Sequence, residues 1–562
     1  MAVVVKKTVK KMGVRIGGRG RGGDRETSNL RPRYTPKRPP CIDTCPSSAD
    51  IRSYLTTIAQ SQPFGRTFEE SFEKAWYILT EKNPFPAVCG RVCPHPCEKE
   101  CNRNYLDTPV AINNMERFIG DYGIKNKLQH KKINADTYTE KVAVIGSGPS
   151  GLSCAYQLAR RGYPVTVFEA FARPGGMLWY GIPRYRLPEQ ILDAEINAIL
   201  ALGIEIRYNT KIGRDISFED LQKEYKAIYL AIGAQKGWDL NIPGEEDVPN
   251  VLSGVEYLNR INSGEDVEIG KRVVVIGGGN TAIDAARVSK RSGADVTILY
   301  RRTRNEMPAD EYEIKEAEEE GIHLEYLAAP IEILTNGDRA SGMRCIRMEL
   351  GEPDESGRRR PIPIKGSEFT VQATIIIPAI SQAVDFKGIE GFKNEKGWIS
   401  TSERCETGIK GVFAGGDVTV QLGIVTQAIG IGRRAAEAID DYLRGREPKK
   451  DVNSIPIIRH TQMNFNHYKK LPRVNPVSLP PLERLSNFKE VSYTIEGSQA
   501  IEESMRCLSC GMCFDCDNCF TYCSDSAVKR LQKGQHYEFK LETCQGCKKC
   551  AEECPCGYVD MI

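Results

Sequence analysis

The chain has 562 residues and a mass of 62.7 kDa, too long for one hydrophobic core at about 100–200 residues per domain. Hydrophobic residues at 40% and charged residues at 27% are globular values, and a net charge of +3 excludes a globally basic nucleic-acid binder. The N-terminus lacks an apolar stretch with a small-residue cleavage site, and no apolar run reaches the ~18 residues a bilayer requires. The expectation is a cytoplasmic protein without membrane insertion, whose twenty cysteines are metal ligands rather than bridges.

Residues 1–40 hold twelve Lys/Arg and two Asp/Glu, with the Gly/Arg stretch Arg15-Ile-Gly-Gly-Arg-Gly-Arg-Gly-Gly23 and a proline-rich exit. Such a segment cannot bury enough apolar surface to fold alone, so a basic extended tail is expected; an arm ordered on a partner and an RNA-binding arm are the other readings. Cys41 and Cys45 follow, then Asn83-Pro-Phe-Pro-Ala-Val-Cys89-Gly-Arg-Val-Cys93-Pro-His-Pro-Cys97-Glu-Lys-Glu-Cys101 and Ala111-Ile-Asn-Asn-Met-Glu116-Arg-Phe.

Lys141-Val-Ala-Val-Ile145 is a β-branched run that leads into Gly146-Ser-Gly148-Pro149-Ser-Gly151. A helix to Arg161 and a strand Val165-Thr-Val-Phe-Glu169 complete a βαβ unit. The glycines permit a tight turn and close approach of a pyrophosphate to a helix N-terminus, and Glu169, eighteen residues after Gly151, can hold an adenosine ribose. The pattern recurs as Arg272-Val-Val-Val-Ile276, Gly277-Gly-Gly279-Asn280-Thr281-Ala282, a helix to about Arg291 and Val296-Thr-Ile-Leu-Tyr300. This second unit ends in Arg301 and Arg302, not an acid. Arginines there can pair with a 2′-phosphate, which favours NADP(H) over NAD(H), or they belong to a solvated loop.

Farther on, Gly411-Val-Phe-Ala-Gly415-Gly416-Asp417 is a strand ending in glycines and an acid, and Gln427-Ala428-Ile-Gly430 opens a helix. Here the chain resembles flavoproteins with two dinucleotide-binding domains. In them such an aspartate binds the flavin ribityl chain and the helix faces the isoalloxazine. Gly175, Gly176 and Met177, and Tyr180-Gly181-Ile-Pro183, resemble the same family's flavin-side segments. Ala227-Ile-Tyr-Leu-Ala231-Ile-Gly233 resembles the crossover out of the FAD domain, and Ile375-Ile-Ile-Pro-Ala379 the return. The resemblance implies FAD in the first fold and NAD(P)H in the second, which is inserted within it.

The C-terminal region packs ten cysteines into 48 residues: Cys507, Cys510, Cys513, Cys516, Cys519 and Cys523, then Cys544, Cys547, Cys550 and Cys554. The x2-x2-x3 run occurs twice, the pattern of a ferredoxin with two 4Fe–4S cubes. Zinc sites, the rival, need only two cysteine pairs at wider separation. Crossed ligation joins Cys513, Cys516 and Cys519 with Cys554, and Cys544, Cys547 and Cys550 with Cys523. Cys154 and Cys345 read as core; Cys89, Cys405 and Cys556 stay unassigned.

Residues 41–450 resemble the glutamate synthase small subunit, whose helical N-terminal domain carries two 4Fe–4S clusters. Its upstream Cys-x-x-Cys pair is missing here, and Arg506-Cys507-Leu-Ser-Cys510 resembles that element in a new place. If the pair is relocated, Cys507 and Cys510 join Cys41 and Cys101 at one cluster, and Cys45, Cys93 and Cys97 take Glu116 at another. The alternative is that Cys507 and Cys510 are spare thiols and only one N-terminal cluster forms.

The expected class is α/β, with two Rossmann-like dinucleotide-binding domains, the second inserted in the first, an N-terminal α-helical iron–sulfur domain and a C-terminal α+β ferredoxin-like domain. Expected boundaries are a tail 1–40, the helical domain 41–135, the FAD domain 136–260 and 379–450, the NAD(P)H domain 261–378, a linker 451–500 and the ferredoxin-like domain 501–562. The cofactors implied are FAD, NADP(H) or NAD(H), and 4Fe–4S clusters, two C-terminal and one or two N-terminal. These parts imply an NAD(P)H:acceptor oxidoreductase that passes electrons to a protein redox partner, in a homodimer or hetero-oligomer. The sulfite-reductase-associated flavoproteins resemble it most, through Arg31-Pro-Arg-Tyr34 and Asp50-Ile-Arg-Ser-Tyr54. Subunits of glutamate synthase, iron(III), oxoacid:ferredoxin or aromatic-acid reductase systems, and a non-catalytic electron relay, are the alternatives.

Overall fold

The computed structural model describes residues 27–354, 357–419, 423–447 and 455–562, so the Gly/Arg stretch lies outside the described residues. The chain divides into two units, one of residues 129–447 and 477–493, the other of residues 1–128, 448–476 and 494–562.

The first unit is built on two parallel sheets. Val142–Ile145, at the centre of a five-stranded sheet, is flanked on one side by Ala227–Leu230 and Val412–Ala414 and on the other by Val165–Phe168 and Glu205–Arg207. The inner strands are buried throughout, as β-branched strands covered on both faces should be. Helix Pro149–Arg160, buried from Ser150 onward, is covered by helix Val425–Arg444. Gly432 permits this crossing, because a Cβ there would stand 2.1 Å from the Ser150 carbonyl oxygen. The second sheet runs Ile375–Pro378, Arg272–Ile276, Asp295–Tyr300, His323–Tyr326, with an antiparallel sheet from Ala328–Asn336 to Phe369–Gln372 beside it. Lys236–Gly237 and Gln382–Ala383 pair antiparallel where the chain leaves and re-enters the first domain. Residues 477–493, expected in a linker, instead pack on this unit: Val491 joins the core of the second sheet and donates its N–H to the Tyr185 carbonyl.

Beneath helix Asn280–Arg291 lies a buried ionic web. Arg287 is fully buried and pairs with Glu313 at 2.5 Å, Glu316 at 2.8 Å and Glu320 at 2.7 Å, and Arg291 shares Glu320 at 2.6 Å. Arg186 bridges Asp284 and Glu313, and Arg484 reaches Glu316.

In the other unit, helices Ile51–Ala59, Phe68–Thr80, Pro86–Val92 and Ile112–Lys125 form an α-helical core. Pro86–Val92 and Ile112–Lys125 approach at Gly90 and Gly120, where a Cβ would lie 2.3 Å from Arg117 Cα and 2.2 Å from the Ala87 nitrogen. The C-terminal segment completes this core, since Ile495 and Ala500, from the stretch that includes helix Gly497–Ser504, are buried within it. It continues into the hairpin Val528–Arg530 with Tyr537–Phe539 and short helices Asn518–Tyr522 and Lys549–Glu552. Pro32–Tyr34, within the expected tail, pairs antiparallel with Val559–Met561. The helical and ferredoxin-like regions, expected as separate domains, thus share one unit because both chain ends supply its strands and core. Among the described residues no helix is long and apolar enough to cross a membrane.

Replacing Arg287 with Met leaves three buried carboxylates without their shared cation. The expected cost is about 3–5 kcal/mol of stability, read as a lowered denaturation midpoint, whereas Lys223→Met, whose side chain pairs only with Asp220 at the surface, should leave the midpoint unchanged.

Candidate cofactor sites

Several helices satisfy their first N–H groups with a side-chain cap, while others, Ile112–Lys125 and Glu189–Leu200 among them, carry none. Ile51–Ala59, Phe68–Thr80, Gly254–Asn262 and Glu311–Glu319 are capped by the side chains of Asp50, Thr67, Ser253 and Asp310. Pro149–Arg160 and Asn280–Arg291 begin at Gly148 and Gly279, with no side-chain cap. Their first N–H groups are therefore available to an anion, with the positive end of the helix dipole behind them.

In the first βαβ unit each glycine has a different reason. Gly146 sits at φ +100°, and a Cβ on it would meet the Ala231 carbonyl oxygen at 2.4 Å. A Cβ on Gly151 would fall 1.9 Å from the Gly146 oxygen, whereas one on Gly148 would meet nothing within 4 Å. The open space beside Gly148 is a cavity of about 420 Å³, lined also by Pro149, Glu169, Gly176, Met177, Gly233, Gly416, Asp417 and Ala428. Glu169 is buried and accepts the N–H groups of Ser147 and Phe171, both at 2.9 Å, and the Ser147 hydroxyl. Its carboxylate is thereby fixed at the end of the second strand, where a ribose belongs. Burial raises the pKa of Asp417, although its Oδ1 accepts the Gly423 N–H at 3.1 Å. An acid at the cavity wall that is short of donors suits the ribityl hydroxyls of FAD, so the residues fit the cofactor.

Three predicted residues support the cavity without lining it. Gly175 donates to the Ser147 carbonyl at 3.0 Å, Gly181 leaves room for the Met177 methyl, and Gln427 is exposed in the first helical turn with its amide against Gly423. Lys211, Arg214 and Lys387 also line the cavity and escaped the sequence reading. Lys211 and Arg214 share one turn, joined by the Arg214 N–H to the Lys211 carbonyl, and Lys387 comes from another loop, with no motif around either.

In the second unit Gly277 lies at φ +143°, and beside Gly279 only Pro308 comes within 4 Å, at 3.9 Å. Asn280 Oδ1 accepts the Asp310 N–H at 3.1 Å, and Thr281 packs where a Gly254 Cβ would be. The arginine pair divides. Arg302 is buried, donating to the Arg359 carbonyl at 2.7 Å and to Asp354 at 2.6 Å, so it braces the loop. Arg301 is exposed and has no ion pair with a described residue, leaving it the one of the two able to reach a phosphate.

The cysteines gather into four groups, visible through their mutual influence. Burial and then Cys101, Cys510 and Cys507 push the Cys41 thiol up; burial, Cys507 and Cys101 do the same to Cys510. Cys101 itself is pushed up to about 11, chiefly by burial. Cys97 is raised by burial and by Cys45, Glu98, Cys93 and Glu116, and Cys45 by burial and Glu116. Glu116, raised by burial to about 7, accepts from the Asn83 amide at 2.7 Å. Cys513, Cys516 and Cys519 are raised by burial and each feels Cys554, while Cys550, raised to about 12, feels Cys544, Cys547 and Cys523.

Buried thiols that raise one another are poor thiolates until a cationic centre neutralises them, which is what a metal cluster does. Backbone geometry agrees. Ser509, Asp515, Asp517, Gly546 and Lys548, each between two cysteines, all take positive φ, and N–H groups of His95, Ala527, Gly546 and Tyr558 point at sulfurs of Cys93, Cys523, Cys544 and Cys554 at 3.2–3.4 Å. Among the described residues no three cysteine sulfurs lie within 4.8 Å of one another. Cys154, Cys345 and Cys405 are buried outside these groups, Cys89 is buried with its sulfur 3.7 Å from the oxygen of Asn83, the residue that donates to Glu116, and Cys556 sits 3.8 Å from Cys554, sulfur to sulfur.

Comparison with known proteins agrees with this geometry. The profile of the pyridine nucleotide-disulphide oxidoreductases matches residues 140–432. The chain belongs to that family. Residues 34–128 match the profile of dihydropyrimidine dehydrogenase domain II, 4Fe-4S cluster. Similar curated proteins are the NADP(+)-dependent formate dehydrogenase subunit beta of Moorella thermoacetica, 37% identical over 84% of this chain and 70% of that protein, and the NADPH-Fe(3+) oxidoreductase subunit beta of Geobacter sulfurreducens, 37% identical over 87% and 77%. The glutamate synthase (NADPH) small chain of Azospirillum brasilense is 34% identical over 73% and 87%. The chain is an NAD(P)H-dependent oxidoreductase of the glutamate synthase small-subunit type, using FAD and 4Fe–4S clusters.

Gly148→Val should fold normally yet bind at least tenfold less FAD, because its side chain would fill only the cavity. Gly151→Val should lower soluble yield, because its Cβ would meet backbone. Equal flavin content in Gly148→Val and the parent protein would contradict the placement of the cofactor.

Proposed function

We propose that this protein takes hydride from NADPH and delivers electrons singly to a protein redox partner through four 4Fe–4S clusters. Bound FAD would supply the conversion between two-electron and one-electron transfer. The chain's own groups hold and orient: Gly148, Glu169 and Asp417 the flavin nucleotide, Gly279 and the uncapped helix behind it the nicotinamide nucleotide, and Arg301 the 2′-phosphate. The observation that carries the reading is the grouping of the cysteines in one unit, together with two nucleotide helices that start at glycines in the other. On it, Cys41, Cys101, Cys507 and Cys510 hold one cluster, and Cys45, Cys93, Cys97 and Glu116 a second. Cys513, Cys516, Cys519 and Cys554 hold a third, and Cys544, Cys547, Cys550 and Cys523 a fourth.

A separate subunit as acceptor is supported by the relatives, whose names mark them as beta subunits or small chains of larger assemblies. A partner in dissimilatory sulfur metabolism is the finer reading, resting on the resemblance around Arg31–Tyr34 and Asp50–Tyr54. The two 37% identical relatives favour a second, in which formate or iron(III) stands at the far end. The co-purifying subunit separates them: a siroheme subunit supports the first, and formate-dependent reduction of NADP+ by the complex supports the formate-linked reading.

Anaerobic NADPH should bleach the flavin band and then the broad cluster absorbance. Arg301→Ala should raise KM for NADPH about tenfold with little change for NADH, since one charge-assisted phosphate contact contributes about 1.5–3 kcal/mol. Equal effects on both nucleotides would remove Arg301 from the phosphate site.

A further inference from the structure

Among the described residues, two buried polar atoms of helix Ile51–Ala59 have no partner: Arg52 Nε, whose guanidinium donates instead through its terminal nitrogen to the Lys37 and Cys510 carbonyls, and the Tyr54 hydroxyl. Tyr54 lies on helix Ile51–Ala59, is fully buried, and its hydroxyl makes no hydrogen bond in the protein. It packs in the core cluster that includes Cys97 and is lined by Cys41, Cys45, Cys101 and Cys507. Other tyrosines near the cysteines are satisfied. Tyr468 donates to the Leu508 carbonyl at 2.7 Å, Tyr537 donates to Asp517 at 2.9 Å, and the Tyr34 oxygen accepts the Tyr537 N–H at 3.0 Å.

An orphaned buried hydroxyl costs about 1–3 kcal/mol, and Phe would fill the same volume without that cost. A donor retained there needs an acceptor that arrives with the cofactor. The core around the hydroxyl carries cysteines of both groups, and Glu116 and Cys97, ahead of Cys41 and Cys45, are the ionisable groups that bear on it most strongly after burial. Glu116 already accepts from Asn83, while Cys97 has no hydrogen-bond donor to its sulfur among the described contacts.

We propose that Tyr54 is a positioning residue whose hydroxyl donates a hydrogen bond to the ligand sphere of the Cys45–Cys93–Cys97–Glu116 cluster and raises its reduction potential. This inference rests on the cluster assignment above. A hydrogen bond to a ligating sulfur stabilises the more negative, reduced cluster, so donors to the sulfurs move the potential upward. The uncharged phenol leaves the net charge of the site unchanged, and the effect is confined to one centre because the hydroxyl has a single proton to give.

The test is Tyr54→Phe in the intact protein, with iron and FAD quantified and each cluster titrated potentiometrically by electron paramagnetic resonance. The expected result is unchanged iron per FAD, a negative shift of one N-terminal cluster, and loss of a deuterium coupling seen by electron–nuclear double resonance in the parent protein after exchange into heavy water. The shifted cluster should be the one whose spectrum Glu116→Cys alters. Unchanged potentials with full iron content, or a shift confined to the cluster lost on removing Cys507, would overturn the role of Tyr54. A parent protein with no cluster sensitive to Glu116 would instead overturn the underlying assignment.

Discussion

A buried knot of two arginines and two carboxylates holds Cys507 beside Cys101, and the proposed four-cluster arrangement depends on it. Arg506, 1% exposed, pairs with Glu503 at 2.5 Å and Asp107 at 3.3 Å and donates to the carbonyls of Thr108 and Pro109. Arg103 pairs with the same Asp107 at 2.6 Å and donates to the Arg506 carbonyl at 2.5 Å, one peptide bond before Cys507. Glu503 in turn accepts the N–H groups of Ala111 and Val474. Such charges are costly to bury, and removing one member strands the others at about 3–5 kcal/mol. Their value here is geometric: segments more than 390 residues apart in sequence are fixed to one another, so that Cys101 from one and Cys507 and Cys510 from the other can face a common centre with Cys41.

The same logic of buried charge runs through both units. In the cluster-bearing unit, burial pushes most of the candidate ligand thiols up, so that iron is what would stabilise them as thiolates, while Cys554, bonded to the Cys556 thiol and to backbone N–H groups, is lowered. In the nucleotide-binding unit, the helix starts at Gly148 and Gly279 carry no side-chain cap, unlike Gly254–Asn262 and Glu311–Glu319, which Ser253 and Asp310 cap. Cofactor charge of one sign or the other completes both kinds of site. Hydride entry and single-electron exit are consequently properties of groups that the fold is built to receive.

Much of this was legible in the sequence because the signals are local. A strand, three glycines and a helix within a dozen residues specify a turn and an anion site, and Cys-x2-Cys spacing specifies a left-handed kink between ligands. What escaped depends on distant chain meeting. Nothing near Lys211 or Lys387 marks either as a cavity residue. The Arg301-Arg302 pair reads as two equivalent cations until Asp354 is seen to engage one of them. Residues 451–500 looked like a linker because they are polar and proline-rich, yet Val491 is a core residue and Arg484 is bound to two glutamates. The tail ended earlier than composition suggested, because Pro32–Tyr34 finds a strand partner at the opposite end of the chain. The grouping of Cys507 and Cys510 with Cys41 and Cys101 began as a resemblance, and in the fold it acquires a physical cause in Arg103 and Arg506.

The most direct measurement is iron and acid-labile sulfide per FAD in the intact protein and in the Cys507→Ala/Cys510→Ala variant. Four cubes predict about sixteen iron atoms falling to about twelve, with loss of one N-terminal cluster signal while both ferredoxin-type signals persist. About twelve iron atoms in both proteins would contradict the account, leaving the pair as spare thiols and the two ends of the chain without a shared centre.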